Sequence, residues 1–275
     1  MVLKFCYEVS PPPRQYLRYI VLNLTIQIFF SIKIIFFPGV MVVEKDAEFW
    51  KAFARRASQV ITGLLLFMVV FFLSAGRIDL PRAWFFFGIY FISLLLNMVI
   101  FLKFNPEVIR TRSEMKWGEM KWWDKLFAVL YFVFIFLMFI VCGLDVGRLH
   151  LSRTGMEFLV VGVIFFVVGW VFVVWAMVEN KFFETTARVQ IEREHRVIST
   201  GPYAIIRHPG YAGMILFYGC APFIIGSLYG LIPAMLLAFA FVFRTYFEDR
   251  MLYEELSGYK EYTKKVRYRL VPFIW

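Results

Sequence analysis

Four stretches of the chain are long enough to cross a lipid bilayer and almost free of charge. They comprise residues 58–76, 83–102, 126–144 and 156–178. Each holds about 19–23 residues, the length that a helix needs to span the hydrocarbon core. Hydrophobic residues make up 61% of the chain and charged residues only 18%, whereas a soluble domain has about 45–50% and 25%. The sequence therefore predicts an all-α fold, a polytopic transmembrane helical bundle, and excludes a water-soluble or disordered chain.

Two shorter apolar runs, 212–226 and 229–243, follow with only Ser227 and Leu228 between them. As a helix each would cover about 22 Å, less than the roughly 30 Å hydrocarbon core. We interpret them as a C-terminal helical hairpin whose ends extend into the neighbouring loops, and we expect Pro222 and Pro233 to kink it. The predicted organisation is an N-terminal segment (1–57), scaffold spans (58–155) and a functional core (156–275).

Lysine and arginine alternate between loops in step with the predicted spans. Four lie in 44–57, two in 77–82, six in 103–125, two in 147–155, five in 179–211 and seven in 244–275. Because cytoplasmic loops carry an excess of these residues, we expect the four cation-rich segments to face the cytoplasm. The formal net charge of +10 then reflects orientation and contact with anionic membrane lipids, and we expect no nucleic-acid partner.

The N-terminal segment fits a spanning helix less well. Between Leu22 and Ile34 the polar residues stand at odd positions, and Lys33 lies within the run. This is a period of two rather than 3.6. No small-residue cleavage site marks a signal peptide. We expect residues 1–43 to form an interfacial segment or one extra span, unless they are an extension upstream of a start at Met41.

Cysteine and histidine are scarce. Three cysteines occur, without C-x-x-C spacing, and Cys142 and Cys220 lie in apolar runs. A free thiol in such a run behaves as a small hydrophobe. With only three histidines besides, we expect neither a disulfide framework nor a metal site.

The polar residues concentrate in two segments on the predicted cytoplasmic side, 179–211 and 244–275. A transporter or channel normally needs ionisable groups within its spans. Here the four long spans hold one acid, Glu157, and Asn97 is their main other polar residue. An enzyme or receptor that works at the membrane–cytoplasm interface explains this distribution better than a pore does.

The loop before the hairpin is rich in turn residues. Gly201-Pro202 and Pro209-Gly210 favour a compact loop over a helix. Pro209 suits the first turn of the hairpin helix, whose N–H groups can meet a polar ligand. His208 and Tyr211 flank the same turn. Taken alone, this stretch favours a capped membrane-entry turn over a ligand site.

The segment after the hairpin predicts a helix with charged pairs. Arg244 and Glu248 are four residues apart, as are Arg250 and Glu254, so each pair shares one helix face. Taken alone, this pattern favours ordinary ion pairs on a solvated helix.

Together the two segments resemble the isoprenylcysteine carboxyl methyltransferase family of integral-membrane enzymes, with a more distant likeness to phospholipid N-methyltransferases. The matching stretches are His195-x-Val-Ile-x-x-Gly-x-Tyr-x-x-x-Arg-His-Pro-x-Tyr-x-Gly213, Arg244-x-x-x-Glu-Asp-x-x-Leu252, Gly258-Tyr-x-Glu-Tyr262 and Val266-Arg-Tyr-Arg-Leu-x-Pro272. The resemblance covers roughly residues 156–275. Its last stretch is similar to the prokaryotic branch, which implies a multi-pass protein of a prokaryotic plasma membrane.

The resemblance implies a methyltransferase core made of the span, a cofactor loop (179–211), the hairpin (212–243) and a cytosolic helix and tail (244–275). It implies S-adenosyl-L-methionine as cofactor, in a cytosolic pocket. It also implies Arg244 and Glu248 as catalytic residues, with Arg244 holding the acceptor's carboxylate. The implied cofactor contacts are Gln190, His195, Arg196, Val197, Ile198, Tyr203, His208, Pro209, Gly210, Tyr211 and Glu248.

The physical chemistry agrees with these roles. Methyl transfer from a sulfonium is an in-line displacement, so an enzyme contributes mainly the positioning of donor and acceptor. A carboxylate acceptor is ionised at neutral pH and needs no general base, but a planar Arg can hold it with two hydrogen bonds. Glu248 can pair with the cofactor's amino group. No G-x-G-x-x-G follows a strand pattern, which excludes a Rossmann-type methyltransferase.

Several alternatives stay open. The expected partner is a lipidated or hydrophobic acceptor, with carboxyl O-methylation of a prenylcysteine as the first activity implied. Phospholipid N-methylation or methylation of a small hydrophobic thiol are the other enzymatic options. A non-catalytic receptor or transporter subunit is the alternative from another class. The register could also shift so that Arg250 and Glu254 replace Arg244 and Glu248, although Leu252 followed by Leu256 favours the first register.

Overall fold

The computed structural model describes residues 46–113 and 116–275, and the regular secondary structure in these ranges is helical. In chain order the helices are α1 (Ala47–Ala75), α2 (Pro81–Phe104), α3 (Pro106–Arg112), α4 (Trp122–Gly143), α5 (Met156–Glu179), α6 (Pro209–Ile225), α7 (Leu231–Glu255) and α8 (Tyr259–Lys265). A π-helical turn, Leu144–Leu149, continues α4. By length and composition α1, α2, α4, α5 and α7 can cross a membrane, and α6 is a shorter apolar helix. The predicted all-α, multi-pass membrane fold is confirmed.

The first helix begins earlier than the apolar pattern suggested. The Asp46 side chain caps α1 by accepting a hydrogen bond from the Phe49 N–H (2.7 Å). No glycine or proline stands between Ala47 and the expected start at Ser58, so the helix continues through this polar stretch. Residues 47–57 therefore belong to the first spanning helix. The rest of the predicted N-terminal segment, and with it the expectation for residues 1–43, lies outside the described residues.

The two helices of the hairpin differ in length. The first, α6, has 17 residues and ends at Gly226, which adopts a left-handed conformation (φ 92°). The second, α7, has 25 residues and runs without a break through the polar segment that follows the apolar run. Pro222 lies inside α6, whereas Pro233 lies in the first turn of α7. A first-turn N–H has no helical partner to lose, so Pro233 requires no kink.

Helices α5 and α6 pack very closely because small residues line their contact. A Cβ added to Gly169 of α5 would lie 2.5 Å from the Phe217 nitrogen and 2.8 Å from the Gly213 oxygen of α6. A Cβ on Gly213 would likewise meet the Gly169 oxygen at 2.8 Å. Glycines at such positions let two helix backbones approach within the membrane. Near the start of α6, a Cβ added to Gly210 would lie 3.6 Å from the Ala176 Cβ atom of α5, so the first turn of α6 lies beside the end of α5.

The outer surface of the bundle is apolar. Leu73 of α1 and Phe239 of α7 are each 69% exposed, and similar side chains cover the other spanning helices. An apolar surface of this extent is what a lipid bilayer solvates. Together with the spanning helices it defines a multi-pass membrane protein.

The contacts between loops show that polar residues lie at two opposite ends of the bundle. At one end, Arg112 bonds to the Glu184 carbonyl, Arg193 pairs with Glu107, and Lys121 pairs with Glu255. We call this the loop end, because it gathers residues 105–113, 116–121, 180–208 and the C-terminal segment. At the opposite end, buried Asp145 accepts hydrogen bonds from Ser152 and Ser227. Asp46 pairs with Arg110 at this same end, so the described parts of the cation-rich segments meet at one end of the bundle.

Candidate active site

A polar cleft opens at the loop end of the bundle. It encloses about 760 Å³, including space open to solvent. Its walls come from the loop between α5 and α6, the first turn of α6, the second half of α7, and α8. The side chains that bear polar groups on these walls are Asn180, Glu184, Thr186, Arg188, His195, Arg196, Tyr203, Arg207, His208, Tyr211, Arg244, Glu248, Tyr259 and Tyr262.

The carboxylate of Asp249 holds three segments around this cleft. Arg207 of the loop donates two hydrogen bonds to it (2.7 and 2.8 Å), and Arg269 of the tail donates another (2.7 Å). The Tyr259 hydroxyl donates to the same group (2.9 Å), and the His208 Nε2 atom lies 3.3 Å away. Asp249 is only 4% exposed. Because a buried charge is tolerated only when it is paired and hydrogen-bonded, this cluster defines how loop, helix and tail fit together.

Backbone pairing reinforces the same junction. The tail carbonyls of Tyr268 and Arg269 accept hydrogen bonds from the N–H groups of Arg207 and His208 (2.9 Å each). The Tyr262 hydroxyl of α8 donates to the Tyr203 carbonyl (2.6 Å). The C-terminal segment therefore covers the turn that leads into α6.

Arg244 and Glu248 lie on one face of α7 and turn toward this cleft. The Glu248 carboxylate accepts a hydrogen bond from the Tyr211 hydroxyl (2.5 Å) and lies 3.6 Å from the Arg244 Nε atom. The Arg244 guanidinium donates to the Thr185 carbonyl (2.8 Å) and lies over the rings of Phe127 (4.5 Å) and Tyr211 (5.3 Å). An arginine stacked between two rings is held in one orientation.

A second, larger cavity lies inside the helix bundle. It encloses about 2010 Å³, including open space, and is walled by α1, α2, α4, α5, α6 and α7. Its lining is mainly apolar and aromatic. Asn97, the polar residue singled out in α2, lines this cavity and accepts a hydrogen bond from the Trp170 indole (2.9 Å). A cavity of this kind can hold a long apolar chain.

The cleft and the cavity meet at four residues. Phe183, Glu184, Tyr211 and Arg244 line both of them. Glu248 lines the cleft, and Asp124 lines the cavity with its Oδ1 atom 3.0 Å from the Arg244 Nη2 atom. The guanidinium of Arg244 therefore stands at the boundary between a polar compartment and an apolar one.

His195 lies in the cleft wall with its ring against Phe182, the two centroids 4.4 Å apart. Burial, and after it the positive charges of Arg193 and Arg188, lower the pKa of His195 to about 4. The imidazole is therefore neutral at pH 7. Its Nδ1 atom accepts a hydrogen bond from the Gln190 N–H (3.3 Å), which assigns the ring proton to Nε2.

Most residues that the sequence singled out line the cleft. His195, Arg196, Val197, Ile198, Tyr203, His208, Gly210, Tyr211, Arg244 and Glu248 do so. Gln190 and Pro209 are not among the lining residues. Gln190 is 1% exposed, and its side-chain amide donates a hydrogen bond to the Phe182 carbonyl (2.7 Å). The side chain therefore lies behind the residues that line the cleft and stabilises the loop that forms this wall. The alternative pair, Arg250 and Glu254, forms an exposed ion pair (2.9 Å) away from the cleft lining.

The sequence motifs did not identify two acidic residues that lie at the site, Asp124 and Glu184. Asp124 lies in the first turn of α4, outside residues 156–275, and Glu184 lies in the loop, paired with Arg188 (3.1 Å). The available signal for Asp124 was an acid beside Lys125 at the start of a helix that carries no other charge. For Glu184 the sequence offered no specific signal. No group of three or more potential metal ligands lies together in residues 46–113 and 116–275.

Fold and site thus define a class, a multi-pass membrane protein with a polar cleft that adjoins an intramembrane cavity. Comparison with known proteins gives the particular likeness. Residues 158–257 match the family model described as phospholipid methyltransferase. The probable protein-S-isoprenylcysteine O-methyltransferases of Oryza sativa subsp. indica and subsp. japonica are each 32% identical over 122 residues. The resemblance expected from the sequence is confirmed.

The likeness covers part of each protein. The matched residues are 42% of this chain and 61% of each rice relative, so the chain spans less than two thirds of the relatives' length. A solved structure of a eukaryotic intramembrane Ras methyltransferase (isoprenylcysteine carboxyl methyltransferase) also matches, at 19% identity and a TM-score of 0.47. That match covers 94% of this chain and 85% of the other.

Proposed function

We propose that this protein is an integral-membrane methyltransferase that uses S-adenosylmethionine to methylate an acceptor carried on a long apolar chain. One observation carries this proposal: the polar cleft and the apolar cavity meet at Arg244 and Tyr211. A charged, water-soluble donor and a lipid-like acceptor can then reach the same point from opposite sides. The match of residues 158–257 to the phospholipid methyltransferase model supports the reaction type.

The cleft residues fit a sulfonium nucleoside donor. The Glu248 carboxylate suits the donor's ammonium group. Val197, Leu252 and Leu256 supply an apolar wall, which suits the flat base. When bound, the donor supplies an electrophilic methyl group.

Arg244 is the residue that would hold the acceptor. Its planar guanidinium can hold a carboxylate with two hydrogen bonds and aim one oxygen at the cleft. Transfer forms a carbon–oxygen bond as the carbon–sulfur bond breaks, and the electron pair remains on sulfur, leaving a neutral thioether. A carboxylate needs no proton removed, so the protein's task is orientation and exclusion of water. Carboxyl O-methylation of a prenylcysteine is the activity that fits these groups best.

The loop end would face the cytoplasm. The segments gathered there carry most of the lysine and arginine counted between the spans, and such residues are retained on the cytoplasmic side. This orientation exposes the cleft to the cytoplasmic donor pool. The prokaryotic-like ending Val266–Pro272 supports a location in a prokaryotic plasma membrane.

A second candidate is N-methylation of a phospholipid amine. The description of the matching family model favours it, as does the presence of two carboxylates, Asp124 and Glu248, within 3.6 Å of Arg244. An amine acceptor must lose a proton before transfer, and a carboxylate can attract its ammonium form.

The test uses the full chain purified into lipid nanodiscs. Titration calorimetry with S-adenosylmethionine should show saturable binding, and labelled methyl should pass from it to a prenylcysteine. Phosphatidylethanolamine and an alkyl thiol are offered in parallel, and the Arg250→Ala variant serves as a control for a change of surface charge. Absence of donor binding in nanodiscs would overturn the enzymatic proposal. Methylation of the phospholipid alone would replace the first acceptor with the second.

A further inference from the structure

Two arginines, Arg56 of α1 and Arg112 at the end of α3, lie together on the wall of the large cavity inside the bundle. One Nη atom of Arg56 contacts the Arg112 carbonyl (3.3 Å) and the Gln59 side chain (3.4 Å). The Arg112 guanidinium contacts the Glu184 carbonyl (3.4 Å) and lies over the Phe183 ring (5.5 Å). The polar contacts of both cations are therefore long and go to neutral groups.

The other charged residues on the cavity wall are already paired. The wall carries three arginines and two acids, which are Arg56, Arg112, Arg244, Asp124 and Glu184. Asp124 lies 3.0 Å from Arg244, and the Glu184 carboxylate contacts two arginines of the loop at 3.1 and 3.8 Å. Among residues 46–113 and 116–275, neither Arg56 nor Arg112 forms an ion pair with a carboxylate.

Both side chains are only partly exposed, so water compensates their charges incompletely. Burial, and after it the positive charge of Arg56, lower the pKa of Arg112 to about 10. Arg112 is still a cation at pH 7. Because a charge withdrawn from water is costly unless an opposite charge pairs with it, these two neighbouring cations match an anionic ligand.

The position of the pair indicates which kind of anion fits. Arg56 stands two residues before the apolar run 58–76, at the level where α1 enters the bilayer. Val60 and Leu64, about one and two turns further along α1, line the same cavity. A fitting ligand thus has an anionic group at the two guanidinium groups and an apolar chain in the cavity. A phosphate suits this place because its oxygens accept paired hydrogen bonds from an arginine fork.

We propose that Arg56 and Arg112 bind the phosphate of an anionic membrane phospholipid, with an acyl chain of that lipid in the cavity. Two positive charges without counter-charge favour a lipid of net negative charge, such as phosphatidylglycerol, over zwitterionic phosphatidylcholine. The ligand carries no group that has to be methylated, so this site is separate from the role of Arg244 and does not rest on the proposed function. Both arginines lie outside the stretch that matches the family model, which begins at residue 158.

The test measures lipid binding by native mass spectrometry of the full chain, stripped of copurified lipid and without methyl donor or acceptor. It yields apparent Kd values for phosphatidylglycerol, phosphatidylcholine and inorganic phosphate. The site variants are Arg112→Gln and Arg56→Gln, which are neutral and can still form hydrogen bonds. Arg148→Gln is the matched control, because Arg148 also bonds to backbone carbonyls, those of Leu73 (2.9 Å) and Ser74 (2.8 Å), but is exposed at the opposite end of the bundle.

We expect the wild type to bind phosphatidylglycerol at least about tenfold more tightly than phosphatidylcholine, the effect of one charged hydrogen bond. Arg112→Gln and Arg56→Gln should each bring the two affinities close together, whereas Arg148→Gln should keep the wild-type preference. Inorganic phosphate should bind far more weakly than the lipid, because it has no chain to place in the cavity.

Three results would overturn the inference. They are equal affinity of the wild type for the two lipids, a preference that survives in both site variants, and inorganic phosphate that binds as tightly as phosphatidylglycerol. The last would assign the site to a soluble phosphate compound. Unfolding midpoints without lipid verify that each variant folds. If Arg112→Gln does not fold, Arg56→Gln and the wild-type preference decide. The proposed methyl transfer stands in each of these cases, because neither donor nor acceptor takes part in the test.

Discussion

Arg207 donates two hydrogen bonds to Asp249, from Nε to Oδ1 at 2.7 Å and from Nη2 to Oδ2 at 2.8 Å. The two residues belong to different segments, the loop before α6 and the second half of α7. Arg269 of the tail contacts the same carboxylate at 2.7 Å. One buried acid therefore joins the three segments that form the cleft, without lining the cleft itself.

Replacement of Asp249 by asparagine should destabilise the protein by about 3–5 kcal/mol, because it leaves the buried Arg207 guanidinium without its counter-charge. We expect a clearly lower thermal unfolding midpoint in detergent. Asp79→Asn is the control, since Asp79 pairs with Arg77 on the exposed surface and such pairs contribute at most about 1 kcal/mol. Equal midpoints for the two variants would show that the cluster is not structural.

Replacement of Arg244 by alanine should abolish methyl transfer and leave the affinity for S-adenosylmethionine nearly unchanged. The reason is that Arg244 would hold the acceptor rather than the donor. Arg250→Ala, which removes an exposed arginine six residues along the same helix, should keep full activity. The opposite result, an active Arg244→Ala and an inactive Arg250→Ala, would establish the other register.

Replacement of Glu248 by glutamine should weaken donor binding by about tenfold or more, the value of one charge-assisted hydrogen bond. Calorimetry measures this directly. The side chain keeps its size and can still accept a hydrogen bond from Tyr211, which contacts Glu248 at 2.5 Å. Unchanged affinity in Glu248→Gln would remove this residue from the donor site.

The pH dependence of stability should carry a contribution from His195. Burial lowers its pKa from the ordinary 6.5 to about 4 in the folded protein. As pH falls below about 6.5, the unfolded chain takes up a proton here and the folded chain does not, so stability is lost until about pH 4. His195→Gln should lose less stability than the wild type over this window. Parallel midpoint curves for the two proteins would contradict the assignment.

The close contact of α5 and α6 should not tolerate a side chain at Gly169. Gly169→Ala places a Cβ 2.5 Å from the Phe217 nitrogen, and we expect a loss of about 1–3 kcal/mol from overpacking. Gly88→Ala is the matched control in α2, where nothing lies within 4 Å of the added atom. There the greater helix propensity of alanine should leave stability unchanged or raise it by up to about 1 kcal/mol. Unfolding midpoints in detergent measure both.

Hydropathy predicted the spanning helices well because the bilayer acts on each segment separately. An uncharged run of about 20 residues has few alternatives to a helix in lipid, and α2, α4 and α5 lie close to the predicted bounds. Helix ends outside the apolar runs were less predictable. The extension of α1 back to Ala47 and of α7 on to Glu255 depends on helix propensity and on contacts with other loops.

The candidate site was predictable where its residues lie close together in sequence. Motif spacing led to Arg244, Glu248 and the stretch 207–211, which line the cleft apart from Pro209. It did not lead to Asp124, because Asp124 and Arg244 are 120 positions apart in the sequence, although their side chains lie 3.0 Å apart in the structure. It also assigned Gln190 to the cofactor, whereas the structure has this side chain behind the cleft wall.

The sequence alone determined that the protein spans a membrane and that its polar chemistry lies at one end. Both follow from the free energy of placing each residue in lipid or in water, which is a local property. Only the tertiary structure decided that Asp249 joins the segments while Glu248, its neighbour, faces the cleft. It likewise decided that Asp124 lies beside Arg244 at the boundary with the cavity. These relationships depend on how helices from distant parts of the chain pack, and the pattern of any one segment does not contain them.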